Sequence, residues 1–357
     1  MRLMAFLATL LLVPSIAFAQ VDFPTIAGAA GVDPSGATDS TAGIQAVLAA
    51  NPKGTIVAPM PSVAYKIAGT LKLNKAQQLL CAQGATFTCT NTAGACMVIA
   101  DPSAAYEIAD ITGCTLNGPG AGGNASVGIF LGGDPAGVIS PKTYFADGAT
   151  MHNVHISGFN SGLKFGNNTW TNRIEGSQIG GNGYSIYAPA GVTDAGEDTA
   201  IIGSTIFNSS VGIQDDGGFD FKLTGVSLDF NAYAAAGVNL FLSCDLCHFE
   251  TGGGYPFFSN PYGSVVLRLT NTDLQFDNTT GTDIAMAVLY PQNAIIRLSQ
   301  VQVWSGHPVT DLLWVSTASL PSPVISLSQI TSGGVAHMTN NSANPNLSTF
   351  GVTGIAP

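Results

Sequence analysis

The strongest constraint on the fold of this chain is a short unit that recurs along most of its length. In each copy an apolar residue is followed two places later by a small or amide residue, and another apolar residue comes three places after that. The copies begin at Ile111, Ile174, Ile201, Leu223, Leu242, Leu269, Leu298 and Leu327. Their small or amide residues are Gly113, Gly176, Gly203, Gly225, Cys244, Asn271, Gln300 and Gln329. Most successive copies lie roughly 20 to 30 residues apart, the spacing of one coil in a solenoid.

Stacking of these units explains how they bury their apolar residues. No copy could do so alone, whereas stacked copies form a continuous core and pair each strand with neighbours above and below. A β-sandwich would also contain many short strands, but its turns usually come about every 8 to 12 residues. We therefore predict an all-β fold, a right-handed parallel β-helix, forming a single domain over residues 20–357.

The first residues carry the pattern of an export signal. Arg2 precedes an apolar run from Leu3 to Val13, and Ala17 and Ala19 are the small residues that a signal peptidase inspects. The run is about half the length needed to span a bilayer. We predict that residues 1–19 are a signal peptide and that the mature protein is secreted or periplasmic, with no membrane contact after cleavage.

Six cysteines follow the predicted signal peptide. Four of them, Cys81, Cys89, Cys96 and Cys114, could form two disulfides in three ways in an exported protein. The remaining two form a Cys-x-x-Cys pair that ends at Cys247. One such pair is weak support for a zinc or redox site, so we interpret Cys247 as a buried structural thiol.

Residues 20–75 are predicted to form an N-terminal cap. A turn-rich stretch over residues 31–41 is followed by Ile44, Val47 and Leu48, which have the spacing of the apolar face of a short helix. Asp39 or Ser40 can cap that helix.

Two strand-like runs, residues 54–59 and 65–71, come next. Together with the preceding turn and helix, they resemble the start of the pectate lyase superfamily of β-helix proteins. The resemblance implies that a short helix plugs the first coil of the solenoid.

The charge of the chain limits its partners. The formal net charge is -11, and loss of Arg2 with the signal peptide would make it -12. Nucleic acids and anionic membranes require clustered cations, so we predict neither as a partner. We expect a polysaccharide, and the oligomeric state is left open.

A pattern of polar residues in the second half of the repeated unit is the main indication of a catalytic site. Three copies read Leu228-Asp229-Phe230-Asn231, Cys247-His248-Phe249-Glu250 and Leu274-Gln275-Phe276-Asp277, and a fourth contains Val303-Trp304. Alternation along a strand predicts that the three phenylalanines point into the core and the polar residues point outward. One outward column would hold Asp229, His248, Gln275 and Trp304, and the next would hold Asn231, Glu250 and Asp277.

Such columns suit glycoside cleavage. Neighbouring carboxylates raise one another's pKa, which divides a pair into an acid and a base or nucleophile. We predict that the catalytic residues are Asp229, His248, Glu250 and Asp277. We predict that the substrate-binding residues are Asn231, Gln275, Trp304 and Arg268. The alternative is that these residues form the ordinary polar surface of a β-helix.

Asp215 and Asp216 form a second acidic site. Carboxylates in a Gly-rich segment suit Ca²⁺, although Asp-Gly-Gly is also a common turn sequence. We predict that no cofactor is required and that Ca²⁺ could bind here. The pair also resembles the paired aspartates of polygalacturonases, but the other motifs of that family are absent or displaced.

The segment from Gly196 to Glu250 resembles the β-helix region of phage tailspikes and capsular-polysaccharide depolymerases. We predict a secreted glycoside hydrolase acting on a glycan along the outer face. One alternative is a polysaccharide lyase, for which Arg173, Lys222 and Arg268 would need to share a face. The other is a non-catalytic surface protein or adhesin that binds carbohydrate.

Overall fold

The chain winds into a parallel β-solenoid of about ten coils. The computed structural model describes residues 23–82, 84–103, 107–251, 256–276, 285–289, 293–315, 324–339 and 347–353. Each coil contributes one strand to each of three sheets, and strands pair in parallel with their counterparts in adjacent coils. The predicted all-β parallel β-helix is confirmed.

The strands are numbered in chain order and divide among three sheets. The first sheet contains β1 (Gly54–Ala58), β4 (Gln77–Cys81), β7 (Asp110–Thr112), β10 (Thr150–His152), β13 (Arg173–Glu175), β16 (Thr199–Ile202), β19 (Phe221–Thr224), β22 (Leu240–Asp245), β28 (Val324–Ser328) and β30 (Leu347–Phe350). The second contains β2 (Tyr65–Ile67), β5 (Thr86–Cys89), β8 (Thr115–Asn117), β11 (His155–Ser157), β14 (Gln178–Gly180), β17 (Thr205–Phe207), β20 (Ser227–Asp229) and β23 (His248–Thr251). The third contains β3 (Leu71–Leu73), β6 (Ala95–Ile99), β9 (Val127–Leu131), β12 (Ser161–Phe165), β15 (Tyr184–Ala188), β18 (Val211–Asp215), β21 (Tyr233–Ala236), β24 (Phe258–Asn260) and β26 (Ala285–Leu289).

Three longer strands continue through the corners between sheets. β25 (Ser264–Phe276) runs from the first sheet into the second. β27 (Asn293–Val315) passes through all three sheets, and β29 (Thr331–Thr339) runs from the second into the third.

A single left-handed residue turns the chain from the first sheet to the second in most coils. The residues with positive φ at this corner are Gly113, Asn153, Gly176, Gly203, Gly225, Leu246, Asn271, Gln300 and Gln329. Gly and Asn tolerate this conformation best, which explains why the repeated unit places a small or amide residue there.

The copy of the repeated unit placed at Leu242 is misaligned by two residues. Cys244 does not turn the chain: it lies opposite Leu223 in a core column, and the corner comes two residues later at Leu246, with φ of 57°. Cys247 is buried as predicted, but it is disulfide-bonded to Cys244 and is therefore not a free thiol.

The other four cysteines form the bridges Cys81–Cys114 and Cys89–Cys96. The stacking of the first coils thus selects this pairing from the three that the sequence allows.

The predicted N-terminal helix is α1 (Thr41–Ala50), which buries Ile44 and Leu48 against the first coil. The Asp39 carboxylate accepts a hydrogen bond from the Thr41 N–H at 3.0 Å. Among the described residues, no helix has the length and apolar content that crossing a membrane requires. The predicted signal peptide lies outside these residues and stays a prediction.

The segment 132–149, here called the 132–149 loop, interrupts the regular coil between β9 and β10. It covers an outward apolar cluster on the third sheet that includes Val98 and Phe130. The Lys75 ammonium and the Asp147 carboxylate, both almost completely buried, anchor the end of the loop through an ion pair of 2.6 Å.

Replacing Lys75 with Met should lower the free energy of unfolding by about 3–5 kcal/mol, because it leaves the Asp147 charge buried without its counter-ion. Thermal unfolding followed by circular dichroism measures this loss. The double variant Lys75→Met/Asp147→Leu should recover much of it. Equal losses in the single and double variants would contradict a charge-based explanation.

Candidate functional site

Asp229, His248 and Glu250 form a cluster on the outer face of the second sheet. Ser227 lies opposite His248, and Asp229 lies opposite Glu250, on the adjacent strands β20 and β23. One side-chain ligand atom from each of the three clustered residues lies within 4.8 Å of the other two. The structure therefore brings together three of the four residues predicted to be catalytic.

Two contacts define the geometry of this cluster. The Ser227 hydroxyl lies 2.7 and 2.8 Å from the two oxygens of the Asp229 carboxylate, to which it donates. The His248 Nε2 atom lies 3.7 Å from a Glu250 carboxylate oxygen. All three clustered side chains are half-buried, so they are held by their neighbours and still reach solvent. An imidazole and two carboxylates could also hold a divalent cation.

The predicted columns need a correction. Asp229, Glu250, Gln275 and Trp304 share one outward column, while His248 lies in the other, opposite Asp273. The error comes from the copy of the repeated unit that begins at Leu242: Cys244, and not Leu242, lies opposite Leu223, so the predicted alignment of that coil was shifted by two residues. A shift of two keeps each side chain on the same face of a strand, so His248 and Glu250 still point outward.

Phe230 and Asn231 were predicted with the wrong orientations. Phe230 adopts a left-handed conformation, with φ of 54°, at the end of β20, and its side chain is 48% exposed. This corner turns Asn231 inward, where its Nδ2 donates to the Ile206 carbonyl and its Oδ1 accepts from the Ser209 N–H. Asn231 is therefore a structural residue and cannot contact a substrate on this face.

Asp277, the fourth residue predicted to be catalytic, lies outside the described residues. Arg268 lies on the first sheet and not on the face that carries Asp229. It shares an outward column there with Arg173 and Lys222.

Aromatic side chains lie at both ends of the acidic column. Phe207, half-buried, lies opposite Asp229 in the preceding coil, and Trp304, 60% exposed, lies opposite Gln275 two coils after Glu250. A Cβ atom at Gly180 would lie 2.7 Å from Phe207 ring carbons, so the ring lies over this glycine. Sequence analysis missed Phe207, although its place after the buried Ile206 indicates an outward side chain.

Asp215 and Asp216 lie at the end of β18. The Asp215 carboxylate is buried and accepts hydrogen bonds from the N–H groups of Gly218, Phe219 and Phe241. These contacts are those of a turn-stabilising residue. Burial raises the pKa of the Asp215 carboxyl to about 7, although the backbone hydrogen bonds act in the opposite direction. The predicted Ca²⁺ site here stays a prediction.

Because the pKa of Asp215 is higher in the folded chain than in the unfolded chain, its contribution to stability is complete below about pH 4 and is lost as the pH rises through about 7. We expect this group to lower the free energy of unfolding by up to about 1.4 kcal/mol per pH unit within that window. Urea unfolding of the parent and of Asp215→Asn across the window measures the difference. Identical pH dependence in the two proteins would contradict this assignment.

A second group of titratable side chains lies on the third sheet, next to the 132–149 loop. The Lys164 ammonium lies 5.5 Å from the centre of the Tyr187 ring, and the Tyr187 and Tyr184 rings stack at 5.0 Å. Burial lowers the pKa of Lys164, and the nearby Asp134 acts against this effect. Burial also raises the pKa of Tyr187, with a further contribution from Asp216.

A groove of about 520 Å³ opens at Tyr184. Its walls include Tyr184 and Tyr233, which lie two coils apart in one column with Val211 between them. Sequence analysis missed the tyrosines. The placement of Tyr187 directly after the core residue Ile186 was the available signal.

The fold and these sites define a right-handed parallel β-helix with polar and aromatic columns on its outer faces. No protein-family model matches the chain, and no curated protein is similar to it in sequence. Solved structures are similar along most of its length.

The A-module of the mannuronan C-5 epimerase AlgE4 from Azotobacter vinelandii is 16% identical, with 94% of this chain and 96% of that chain covered and a TM-score of 0.58. The catalytic unit of the GH87 α-1,3-glucanase from Streptomyces thermodiastaticus is 15% identical, with 95% and 70% covered and a TM-score of 0.60.

The enzymatically active domain of tailspike protein 4 from bacteriophage CBA120 is 12% identical. The match covers 90% of this chain and 43% of the tailspike chain, with a TM-score of 0.51. At such identities the similarity establishes the fold alone. The fold expected from the pectate lyase and tailspike resemblances is thus confirmed.

Proposed function

We propose that this protein is a glycoside hydrolase that cleaves a polysaccharide bound along the outer face of the second sheet. The observation that carries the proposal is the pairing of Asp229 with Glu250 on adjacent strands, with carboxylate oxygens within 4.8 Å. Retaining glycosidases place their two carboxyl groups about 5–5.5 Å apart, and inverting enzymes place them farther apart. The separation favours retention of configuration.

Asp229 is the better nucleophile of the two, because the Ser227 hydroxyl donates to its carboxylate and holds it in place. In the first step Glu250 protonates the glycosidic oxygen while Asp229 attacks the anomeric carbon, so the leaving sugar departs with the proton and a glycosyl ester forms. In the second step Glu250 takes a proton from water, and the water oxygen displaces Asp229. His248 lies beside Glu250, where a positive imidazole would stabilise the carboxylate between the two steps.

The rest of the column suits a sugar chain. The column from Phe207 to Trp304 spans four coil steps of about 4.8 Å, or roughly 19 Å. The two rings offer flat apolar surfaces at its ends, and the Gln275 amide lies between them on the same column. The glucanase, the epimerase and the tailspike domain, which share the fold, support a polysaccharide as the partner class.

Asp229→Asn and Glu250→Gln should each lower the rate of cleavage at least about 100-fold, because each removes one of the two groups that move a proton or attack the sugar. The assay is release of reducing ends from a panel of neutral and acidic polysaccharides, with and without Ca²⁺. NMR of the first product formed should show the retained anomer.

Asp245→Asn provides a matched control, since this exposed aspartate lies on the first sheet. It should leave the rate unchanged. Full activity in both Asp229→Asn and Glu250→Gln would exclude this site. An absence of cleavage across the panel would favour a carbohydrate-binding surface protein.

A second candidate is a polysaccharide lyase that uses the third sheet. β-Elimination from a uronate requires a base for the C5 proton and a cation near the carboxylate. The observation that favours it is the half-buried Lys164, whose pKa is lowered by burial and whose ammonium lies 5.5 Å from the centre of the Tyr187 ring.

If the lyase candidate is correct, Lys164→Met should abolish formation of the unsaturated product, measured by its ultraviolet absorbance, because the base or cation is lost. Lys222→Met is the control, since that lysine forms ion pairs on the first sheet. Loss of the product in Asp229→Asn instead would contradict a site at Lys164.

A further inference from the structure

The outer face of the first sheet carries a basic column in an otherwise acidic chain. Arg173, Lys222, Arg268 and Arg297 occupy equivalent positions on β13, β19, β25 and β27, joined in register through Ala200 and Ser243. The whole sequence holds 11 Lys and Arg against 22 Asp and Glu. Four of its cations thus lie on one line roughly 24 Å long, at about 4.8 Å per coil.

Arg173 and Lys222, the first two cations of this column in chain order, are neutralised by nearby carboxylates. The Arg173 guanidinium pairs with the Glu175 carboxylate on the same strand. The Lys222 ammonium pairs with Asp198 at 2.6 Å and with Asp220 at 3.5 Å.

The other two cations of the column, Arg268 and Arg297, are not neutralised in this way. Arg268 and Arg297 lie directly opposite each other on adjacent strands, and both are exposed. Within the part of the chain that the structure describes, neither forms an ion pair, and the only side-chain hydrogen bond of Arg268 is a long one of 3.5 Å to the Ser243 hydroxyl. Like charges placed opposite each other destabilise a sheet. The pair therefore weakens the isolated fold, and an anion between the two guanidinium groups would relieve this repulsion.

An apolar column lies beside the arginine pair, two residues earlier on each strand. Its members are Phe241, Val266, Ile295 and Val324. Ile295 is 37% exposed and Val324 is 47% exposed. The surface thus combines two unneutralised guanidinium groups with an adjacent apolar strip.

We propose that Arg268 and Arg297 form a binding site for the carboxylate groups of an acidic polysaccharide, whose sugar rings lie on the apolar column. A guanidinium group matches a carboxylate through two parallel hydrogen bonds, and a uronate sugar presents both a carboxylate and an apolar ring face. The site lies on a different sheet from Asp229 and Glu250. It therefore does not depend on the hydrolase proposal.

The test is binding of the full chain to polygalacturonate and alginate, with neutral xylan as the comparison, measured by affinity electrophoresis and calorimetry. The protein should bind the polyuronates and not xylan, and the affinity should fall as the salt concentration rises. Arg268→Gln and Arg297→Gln should each weaken binding about tenfold. Replacing either arginine with Lys should retain only part of the affinity, because lysine keeps the positive charge but cannot form two parallel hydrogen bonds with one carboxylate.

Arg173→Gln is the matched control, since that arginine is already paired on the same column, and it should bind as the parent does. Repeating the measurement in the Glu250→Gln background separates this site from the hydrolase, because binding should persist there whether or not the parent cleaves the polymer. Equal binding by the parent and the Arg268→Gln/Arg297→Gln double variant would overturn the proposal. Dissociation of a dimer in that double variant, seen by sedimentation, would assign the surface to a second copy of the chain instead.

Discussion

In-register stacking of parallel strands is the constraint on which the rest of the structure depends. Each coil must place an apolar side chain directly above that of the previous coil, and the corner between the first two sheets must turn within one residue. Gly176 and Asn271 show how the sequence meets the second requirement, because glycine and asparagine accept the left-handed conformation at low cost. Where Leu246 occupies this corner, the Cys244–Cys247 disulfide links residues on either side of it.

Stacking also makes the outward columns act collectively. A side chain on one strand gains neighbours only about 4.8 Å away in the coils above and below, so chemistry can be assembled from residues more than 20 positions apart. Asp229 and Glu250 meet in this way, as do Arg268 and Arg297. Since outward residues do not pack in the core, each face can acquire different chemistry without disturbing the fold.

The three faces differ accordingly. The second sheet carries carboxylates between aromatic rings. The third carries Lys164 and Tyr187, with a groove at Tyr184, and the first carries the arginine pair. The 132–149 loop covers part of the third sheet, and Asp134 organises the loop by accepting hydrogen bonds from the N–H groups of Ala136, Val138 and Ile139. Long insertions at a corner leave the coil register intact, because the strands on either side of the loop still pair with their own neighbours.

The sequence by itself determined the fold class, the N-terminal helix and the outward direction of Asp229, His248 and Glu250. These features depend on local periodicity: a two-residue alternation and one turn residue per coil, both visible in the printed residues. The identity of the stacked neighbours was decided only by the tertiary structure. A shift of two residues leaves the alternation unchanged, so the pattern could not distinguish Glu250 from His248 as the partner of Asp229. Three further features depend on how distant coils pack together, and no local pattern predicts them: the inward turn of Asn231 after Phe230, the pairing of the first four cysteines and the partial burial of Lys164.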